Sequence, residues 1–303
     1  MKLKQLEVFV AVADCKSFSK AARVLYLTQP TISAYISALE KELDARLFVR
    51  NTKEIHVTEQ GRQLYRYARE MLALQNKIIE VFAGDSGKEK ARLVVAASTV
   101  PSRYLLPDIL AEYKEKYPDG QLEVRESDSA RVIEDVAGHV VDIGFTGTLL
   151  ENKACRYVPF YEDELVIVMP NTDKYRRILA QETGLSWIRQ EPFLMREEGS
   201  GTRKEAEKQL AAAGIDVEKL HVAANVESTE TIRRSVKNGI GVTMISSLAV
   251  REDMEAGRIL TFPMGKNRST RKLYLVYNKS CALSRQAENL VRVVQELYKN
   301  DLR

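Results

Sequence analysis

The sequence has few of the residues that build metal centres, disulfide frameworks or nucleophilic active sites. Three cysteines and three histidines are spread over 303 residues, and no CxxC, HExxH, P-loop or GxGxxG motif with its acidic partner occurs. The residues are Cys15, Cys155 and Cys281, and His56, His139 and His221. This scarcity excludes a CxxC metal or redox motif and argues against a disulfide framework. It predicts a protein that is not an enzyme and has no metal or cofactor.

Long apolar runs are also missing. The longest stretches, such as residues 165–170, are far below the ~18 residues needed to cross a bilayer, and no apolar segment follows the first Met. We therefore expect a cytoplasmic protein with no membrane partner. With 45% apolar and 29% charged residues, the chain can bury a core and stay in solution, and its length predicts two or three domains.

The net charge of +4 is unevenly distributed. Residues 1–90 hold 15 basic and 11 acidic residues, and residues 91–303 hold 31 of each. The whole excess therefore lies in the first third of the chain. This distribution is typical of an N-terminal segment that meets a polyanion, joined to a neutral domain.

Three short helices are predicted near the N-terminus from apolar residues at helical spacing. Ser17 is placed to start the second helix, because a hydroxyl can accept hydrogen bonds from the unpaired amides there. Thr28 is placed to cap the third helix, residues 31–43, and Pro30 fits its first turn. The early outward face of this helix carries polar groups of the kind that read base edges in a major groove. They are Gln29, Thr31, Ser33 and Tyr35.

A small hairpin is predicted over residues 49–57, where apolar and polar residues alternate. Arg50 and Lys53 lie near its tip, within reach of a phosphate or a minor groove. Two helices joined by a tight turn, over about residues 18–37, and a following hairpin predict a winged helix-turn-helix. Helical periodicity alone leaves open a small helical bundle with no role in DNA binding.

The ordered run SFSKAARVLYLTQPTISAYISALEKELDARLFVR, from Ser17 to Arg50, resembles the N-terminal signature of LysR-type transcriptional regulators. The resemblance covers essentially the whole chain. It implies a winged helix-turn-helix, a linker helix and an effector-binding domain shaped like a periplasmic binding protein. It also implies that the recognition face is formed by Gln29, Pro30, Thr31 and Ser33. The wing would be formed by Arg50 and Lys53.

Two positions depart from the pattern of this family. Ala34 stands where many relatives have Arg, which would remove one contact to the DNA backbone. Asp44 stands where many have Gly, after the recognition helix. Asp tolerates the left-handed conformation better than most residues, so we expect the turn to be kept.

A dimerisation helix is predicted over residues 59–87, with Thr58 as its N-cap. Apolar residues recur at spacings of three and four, the a/d pattern of helices that pack side by side. They are Leu64, Tyr67, Met71, Leu74, Ile78 and Val81. An amphipathic helix packed on its own domain would show a similar pattern. We favour pairing between two chains, because the helix ends in a flexible break at residues 84–87 with no adjoining core.

Residues 88–303 are predicted to form a two-lobed effector domain. The fold class is α/β, with an N-terminal all-α winged helix-turn-helix (residues 1–58) and a long linker helix. Predicted strands include residues 92–97, 121–126, 164–170 and 222–226, and predicted helices include residues 102–117 and 200–213; this alternation is typical of a mainly parallel sheet. Lobe 1 is expected over about residues 91–161 and 268–303, and lobe 2 over 162–267. The chain would cross between them near residues 160–161 and 262–264.

Polar loops at the ends of these strands predict a cleft for a small anion or carboxylate, since ligands bind there in such sheets. Ten residues are candidates: Ser98, Thr99, Ser102, Thr146, Gly147, Ser200, Gly201, Thr202, Glu227 and Ser228. The glycines of the 199–203 loop let the backbone approach a ligand, and Arg203 adds charge. Each hydroxyl would equally serve as a helix cap, and Arg203 would equally be a solvated surface charge.

The chain is most similar to LysR-type regulators of sulfur assimilation or selenium metabolism, on its TQPTISA stretch and EEGSGTR loop. This similarity implies sulfate, thiosulfate, a selenium oxyanion or an acetylated amino acid such as O-acetylserine as the effector. It also implies a homodimer or homotetramer on double-stranded promoter DNA, which contacts RNA polymerase if it is an activator. The alternative is a two-lobed solute-binding protein that does not bind DNA.

Overall fold

The chain divides into two units, Met1–Glu89 with Gly138–Val140, and Lys90–Ala137 with Val141–Arg303. The computed structural model describes residues 1–50, 55–83, 92–181, 184–262, 264, 270–299 and 301, without the side chains of residues 50, 76, 77 and 80–83. Among these described residues, no helix is long and apolar enough to cross a membrane.

The N-terminal unit is built from helices and a small hairpin. Their bounds are α1 Leu3–Cys15, α2 Phe18–Val24, α3 Gln29–Leu43, β1 Phe48–Arg50, β2 Ile55–Val57 and α4 Glu59–Ala83. The predicted helix caps are confirmed: Ser17 Oγ accepts from the Lys20 amide at 3.2 Å, and Thr28 Oγ1 accepts from the Thr31 amide at 3.4 Å. Because Thr28 is the N-cap, α3 begins at Gln29, two residues before the predicted start.

These elements enclose an apolar core to which α1, α2, α3, α4 and the hairpin all contribute. The small side chains of Ala21 and Ala22 are buried where α2 packs against its neighbours. Glu40 is buried near the end of α3, and its Oε1 accepts from the Leu47 amide at 2.7 Å, which satisfies the backbone leading into β1. Asp44 has φ 46° and ψ 45°. The expectation that Asp keeps the left-handed turn is therefore confirmed.

The turn between α2 and α3 contains a residue in an unfavourable backbone conformation. Tyr26 has φ 54° and is 96% exposed. Its amide donates to Arg23 O at 3.2 Å, and the Leu27 amide donates to Ala22 O at 2.8 Å. This is the Schellman arrangement that ends many helices, in which the left-handed position usually belongs to glycine.

Replacing Tyr26 by glycine is expected to stabilise the N-terminal unit. A left-handed residue with a Cβ destabilises the folded state by about 1–2 kcal/mol, and glycine removes this strain. Glycine also makes the unfolded chain more flexible, which opposes folding, so we expect a net gain in stability of about 0.5–1 kcal/mol. The gain is measured as a higher urea midpoint of the helical circular dichroism signal. Tyr26→Ala keeps the Cβ and is the control. An equal gain from both variants would show that backbone strain is not the cause.

The C-terminal unit alternates strands and helices. Its strands are β3 Arg92–Ala97, β4 Gln121–Glu126, β5 Ile143–Thr146, β6 Cys155–Pro170, β7 Phe193–Arg196, β8 Val222–Val226, β9 Val242–Ser246, β10 Ile259–Phe262 and β11 Thr270–Asn278. Its α-helices are α5 Thr99–Tyr104, α6 Leu106–Lys116, α7 Ser129–Ala137, α8 Asp173–Ala180, α9 Gly201–Ala212, α10 Thr229–Lys237, α11 Arg251–Glu255 and α12 Arg285–Leu297.

The long strand β6 belongs to both lobes. The strands follow the order β4-β3-β5-β11-β6-β9-β7-β8, and β10 also pairs with β6. Residues 155–164 of β6 pair with β11 and complete lobe 1, whereas residues 165–170 pair with β9 and β10 in lobe 2. The predicted strand at 164–170 therefore begins nine residues too late. The chain crosses between the lobes at residues 164–165, inside a continuous strand and a few residues after the predicted crossing.

The expectation of a mainly parallel sheet is only partly correct. β3 is parallel to β4 and β5, and β7 is parallel to β8 and β9. β6, β10 and β11 pair antiparallel with their neighbours. The reason is that β6 carries the chain from lobe 1 into lobe 2, while β10 and β11 bring it back in the opposite direction.

One predicted helix is divided in two. The sequence predicts a single helix over residues 102–117, but α5 and α6 are separated at Leu105. Pro107 lies in the first turn of α6, a position that accepts its ring, whereas inside a longer helix it would break a hydrogen bond and clash with the preceding turn. Tyr104, at the end of α5, packs against apolar clusters of both lobes, and burial raises the pKa of its phenol.

Candidate functional site

The start of α3 presents polar side chains at the surface of the N-terminal unit. Gln29 and Pro30 are exposed, and Thr31 and Ser33 are half-buried. The Thr31 hydroxyl lies 2.8 Å from that of Thr28, so it takes part in the cap. Gln29 is therefore the longest exposed polar side chain in the first turn of this helix.

Four further predicted DNA-binding residues lie outside this exposed turn. Ser17 caps α2. Tyr35 is half-buried, and its ring packs against the core. The predicted hairpin is present as the antiparallel pair of β1 and β2, and Arg50 lies in β1 with its side chain outside the described part of the structure. Lys53 also lies outside the described residues.

One face of α4 is apolar and exposed. Tyr67, Met71, Leu74 and Ile78 are between 43% and 62% exposed. These four residues, called the apolar stripe below, belong to the predicted heptad pattern. The side chain of Val81, the last residue of that pattern, is not among those described.

The other face of α4 packs on its own unit. Leu64, Tyr65 and Leu72 pack against the core, and Ala68 is fully buried in it. The expectation that this helix has no adjoining core is therefore wrong for its N-terminal half. Leu64 belongs to the core of its own chain, because the first turns of α4 pack against α1.

A cleft that is partly open to solvent lies between the lobes of the C-terminal unit. Six of the ten predicted effector residues line it: Ser98, Thr99, Gly147, Ser200, Gly201 and Thr202. Six lining residues were not predicted from the sequence: Val100, Asp128, Ser129, Arg196, Glu197 and Arg271. The ends of β3, β5 and β7, the start of β11 and the starts of α5, α7 and α9 bring these side chains together.

The remaining four predicted residues do not line the cleft. The Ser102 hydroxyl is 3.5 Å from Glu126 Oε2. Ser228 caps α10 through a hydrogen bond of 3.2 Å to an amide of its first turn, and Glu227 is exposed. Thr146 is fully buried at the end of β5, and its hydroxyl has no hydrogen-bond partner within the described ranges.

Two serines that precede helices have different roles. Ser98 does not cap α5: its Oγ accepts from the Gly147 amide at 3.0 Å and joins the ends of β3 and β5. Ser200 does cap α9, accepting from the Arg203 amide at 3.4 Å. The Arg203 side chain pairs with Glu207 at 2.7 Å and is not on the lining. The cationic groups of the cleft come from other arginines.

A buried ion pair borders the cleft. Arg271 Nε and Nη2 both lie 2.9 Å from Asp163 Oδ2, and the two side chains are 5% and 0% exposed. Asp163 Oδ1 also accepts from Ser246 Oγ at 2.6 Å. Arg271 Nη2 donates to Thr202 Oγ1 at 3.3 Å, which links lobe 1 to the start of α9 in lobe 2. Such charges are tolerated in an interior because each is paired.

A second buried guanidinium lies at the end of β7. Arg196 is 4% exposed, and its Nε and Nη2 donate to the two carboxylate oxygens of Glu197 at 2.8 Å. Its Nη1 donates to Thr229 Oγ1 at 2.8 Å. The loop predicted to contribute Glu227 and Ser228 therefore reaches the site through Thr229. The one sequence signal for Arg196 is a charged residue directly after the apolar run of β7.

Gly201 lies close to residues of lobe 1. A Cβ at this position would overlap Thr148 Oγ1 and lie 3.2 Å from Thr148 Cβ. In contrast, a Cβ at Gly199 would have no neighbour within 4 Å. The absence of a side chain at residue 201 thus allows the start of α9 to approach lobe 1.

Both units match known protein families. Residues 3–62 match the family described as bacterial regulatory helix-turn-helix protein, lysR family. Residues 86–299 match the family described as LysR substrate binding domain.

Similar full-length proteins cover almost the whole chain. It is 32% identical over 280 residues to an uncharacterized HTH-type transcriptional regulator of Methanocaldococcus jannaschii, a match of 92% of this chain and 93% of that protein. It is 28% identical over 297 residues to the HTH-type transcriptional regulator CysL of Bacillus subtilis, covering 98% of each. The structure of full-length CbnR complexed with its target DNA is similar with a TM-score of 0.69 at 19% identity, covering 98% of this chain and 99% of that chain.

Proposed function

Because the chain belongs to the LysR family of DNA-binding transcriptional regulators, we propose that it binds a promoter operator as a dimer or a dimer of dimers and responds to a small anionic or carboxylate effector between its lobes. The observation that carries this proposal is the presence of both family domains in one chain. A solute-binding protein without DNA binding does not account for the match of residues 3–62. We place this function in the cytoplasm, with RNA polymerase as a partner if the protein is an activator.

The proposed operator contacts begin at the first turn of α3. The start of a recognition helix is the part that reaches base edges in the major groove, and Gln29 and Pro30 are exposed there. A glutamine amide pairs with adenine N6 and N7 in a bidentate manner. The positive excess of residues 1–90 supports binding to the phosphates on either side of the groove.

The proposed dimer uses the apolar stripe of α4. A stripe at heptad spacing that its own unit leaves exposed is suited to a second copy of the same helix. A two-fold dimer formed in this way would carry two recognition helices, which fits an operator with an interrupted inverted repeat.

The proposed effector response uses residues from both lobes. Ser98, Thr99 and Gly147 of lobe 1 face the cleft together with Ser200 and Thr202 of lobe 2. A ligand held by both lobes favours one arrangement over another only if its affinities for the two differ. Sulfate, thiosulfate, a selenium oxyanion and O-acetylserine are the effectors to test first.

Gln29→Ala is expected to weaken operator binding by about 1–3 kcal/mol, roughly 5–150-fold, because one base-reading contact is lost. The operator is first isolated by selecting duplexes from a random library with the full-length protein. Affinity is then measured by fluorescence anisotropy between 50 and 200 mM salt, where it should fall steeply as the phosphates regain their counterions.

Gln63→Ala is the matched control, since Gln63 is an exposed glutamine on α4 and not on the recognition helix. It should leave affinity unchanged. Equal losses of operator affinity in both variants would show that Gln29 does not read a base. Failure to select any duplex, or an affinity that does not depend on salt, would contradict the DNA-binding proposal itself.

A further inference from the structure

The buried Arg271 guanidinium has one N–H group left without a partner. Its Nε and Nη2 bind Asp163 and Thr202, but Nη1 has no hydrogen-bond partner within the part of the chain that the structure describes. An unpaired, buried N–H of a charged group is rare, because it loses its hydration without replacement. Arg271 lines the cleft, so an acceptor that enters the cleft can satisfy Nη1.

The space beside this group is kept open by a glycine. A Cβ on Gly147 would lie 3.6 Å from both Cζ and Nη1 of Arg271, in van der Waals contact with the guanidinium. Because Gly147 and Arg271 both line the cleft, an acceptor placed beside the glycine lies next to the guanidinium. A carboxylate oxygen is well suited to this N–H, since a charged acceptor makes a shorter and stronger hydrogen bond.

Asp128 brings the opposite charge to the same cleft. It is exposed and lines the cleft at the start of α7. Its Oδ1 accepts from the Arg131 amide at 2.9 Å, and among the described residues no cation pairs with its carboxylate. Asp128 would repel a purely anionic ligand and attract an ammonium group.

Arg196, the second buried arginine of the cleft, adds no unpaired positive charge. Arg196 donates at all three of its nitrogens, twice to Glu197 and once to Thr229. Its charge is therefore matched by a neighbouring carboxylate. Among the described residues, the cleft offers a ligand one unpaired guanidinium N–H and one unpaired carboxylate, and the carboxylate would repel a dianion such as sulfate.

We infer that the cleft takes a free amino acid or a similar zwitterion, whose carboxylate binds Arg271 Nη1 and whose ammonium binds the Asp128 carboxylate. This inference rests on the proposed effector function and narrows its ligand class. The Thr99 and Ser200 hydroxyls line the same space and are available to the polar part of the ligand.

The test uses the full-length protein and measures thermal unfolding, followed by titration calorimetry. The probes are the twenty proteinogenic L-amino acids and O-acetyl-L-serine, with sulfate, thiosulfate and acetate for comparison. At least one amino acid is expected to raise the melting temperature, since a ligand that binds the folded state stabilises it. Its analogue without the amino group should bind at least tenfold more weakly.

Asp128→Asn is expected to weaken binding of that amino acid at least tenfold. Asn keeps an oxygen for the Arg131 amide, so the start of α7 is preserved. Asp108→Asn, an exposed change in the first turn of α6, should have no effect on binding.

Each other outcome overturns the inference. A shift with sulfate or thiosulfate and with no amino acid would show a plain anion site, which leaves the proposed effector function intact. Equal affinity of the amino acid for wild type and for Asp128→Asn would show that its ammonium group does not bind Asp128. No shift with any probe would overturn both the inference and the proposed effector cleft, while the operator experiment with Gln29 would stand unaffected.

Discussion

Asp163→Asn is expected to lower the free energy of unfolding of the C-terminal unit by about 3–5 kcal/mol. The variant keeps the size of the side chain and an oxygen for Ser246, but it removes the only charge paired with Arg271 among the described residues. The guanidinium would then stay buried at 5% exposure without a counter-charge. Most of the loss comes from this uncompensated charge, and less from the value of the ion pair itself.

Trp187 provides the measurement, because it is the only tryptophan in the sequence. Its ring packs between Tyr175 and Phe262 in lobe 2, so its fluorescence reports unfolding of this unit in urea. Asp173→Asn is the control: Asp173 forms an ion pair of 3.5 Å with Arg176, and its side chain is 81% exposed. That change should cost no more than about 0.5 kcal/mol.

A double variant separates stability from ligand binding. Asp163→Leu with Arg271→Met replaces the buried pair by apolar side chains of similar size, which is commonly neutral or stabilising. We expect the double variant to be more stable than Asp163→Asn and close to wild type. The remaining difference is the cost of the Ser246 hydroxyl, which loses its acceptor. Effector binding should be lost in the double variant, because the guanidinium is gone. A double variant as unstable as Asp163→Asn would contradict the electrostatic explanation.

Gly201→Ala is expected to hold the lobes apart and to weaken effector binding by about 1–3 kcal/mol, the usual cost of overpacking a close contact. The new methyl group would overlap Thr148 Oγ1 and meet Thr148 Cβ at 3.2 Å. Rotation of the threonine hydroxyl relieves the first contact but not the second. Titration of the full-length protein with the effector measures the loss, and selection of the operator by α3 should be unaffected.

Two further variants test whether the contact is steric. Gly199→Ala changes the same loop by the same methyl group with no neighbour within 4 Å, so it should bind the effector as wild type does. Thr148→Gly added to Gly201→Ala removes the opposing side chain and should restore affinity. If it does not, the methyl group acts on the start of α9 and not on the gap between the lobes.

The sequence predicted local features well, because they depend on residues that are close in the chain. The predicted strands at residues 92–97, 121–126 and 222–226 have the observed bounds of β3, β4 and β8, and Ser17 and Thr28 cap the predicted helices. The start of β6 was missed because its first half is paired with β11, over a hundred residues away in sequence. A strand whose burial depends on such a distant partner shows no regular pattern of its own.

The charged part of the cleft could not be predicted for the same reason. Asp163 and Arg271 are 108 residues apart in sequence, and neither belongs to a recognisable motif. Ser98 shows a second limit. Its sequence position is that of a helix cap, but the Gly147 amide competes for the same oxygen and binds it. Whether Ser98 Oγ accepts from the Gly147 amide or from an amide of α5 depends on how β3 and β5 lie beside each other.

The position of β11 also sets the order in which the protein folds as the ribosome makes it. β11 lies between β5 and the first half of β6, and residues 270–278 leave the ribosome about 6–23 s after residue 164 at usual elongation rates. The strands of lobe 2 end at Phe262, so all of them are made before β11 is. Lobe 1 meanwhile holds two strands with unpaired edges, the kind of surface that invites aggregation and chaperone binding. The lobe that contains the first strands to be made is therefore the last to be completed.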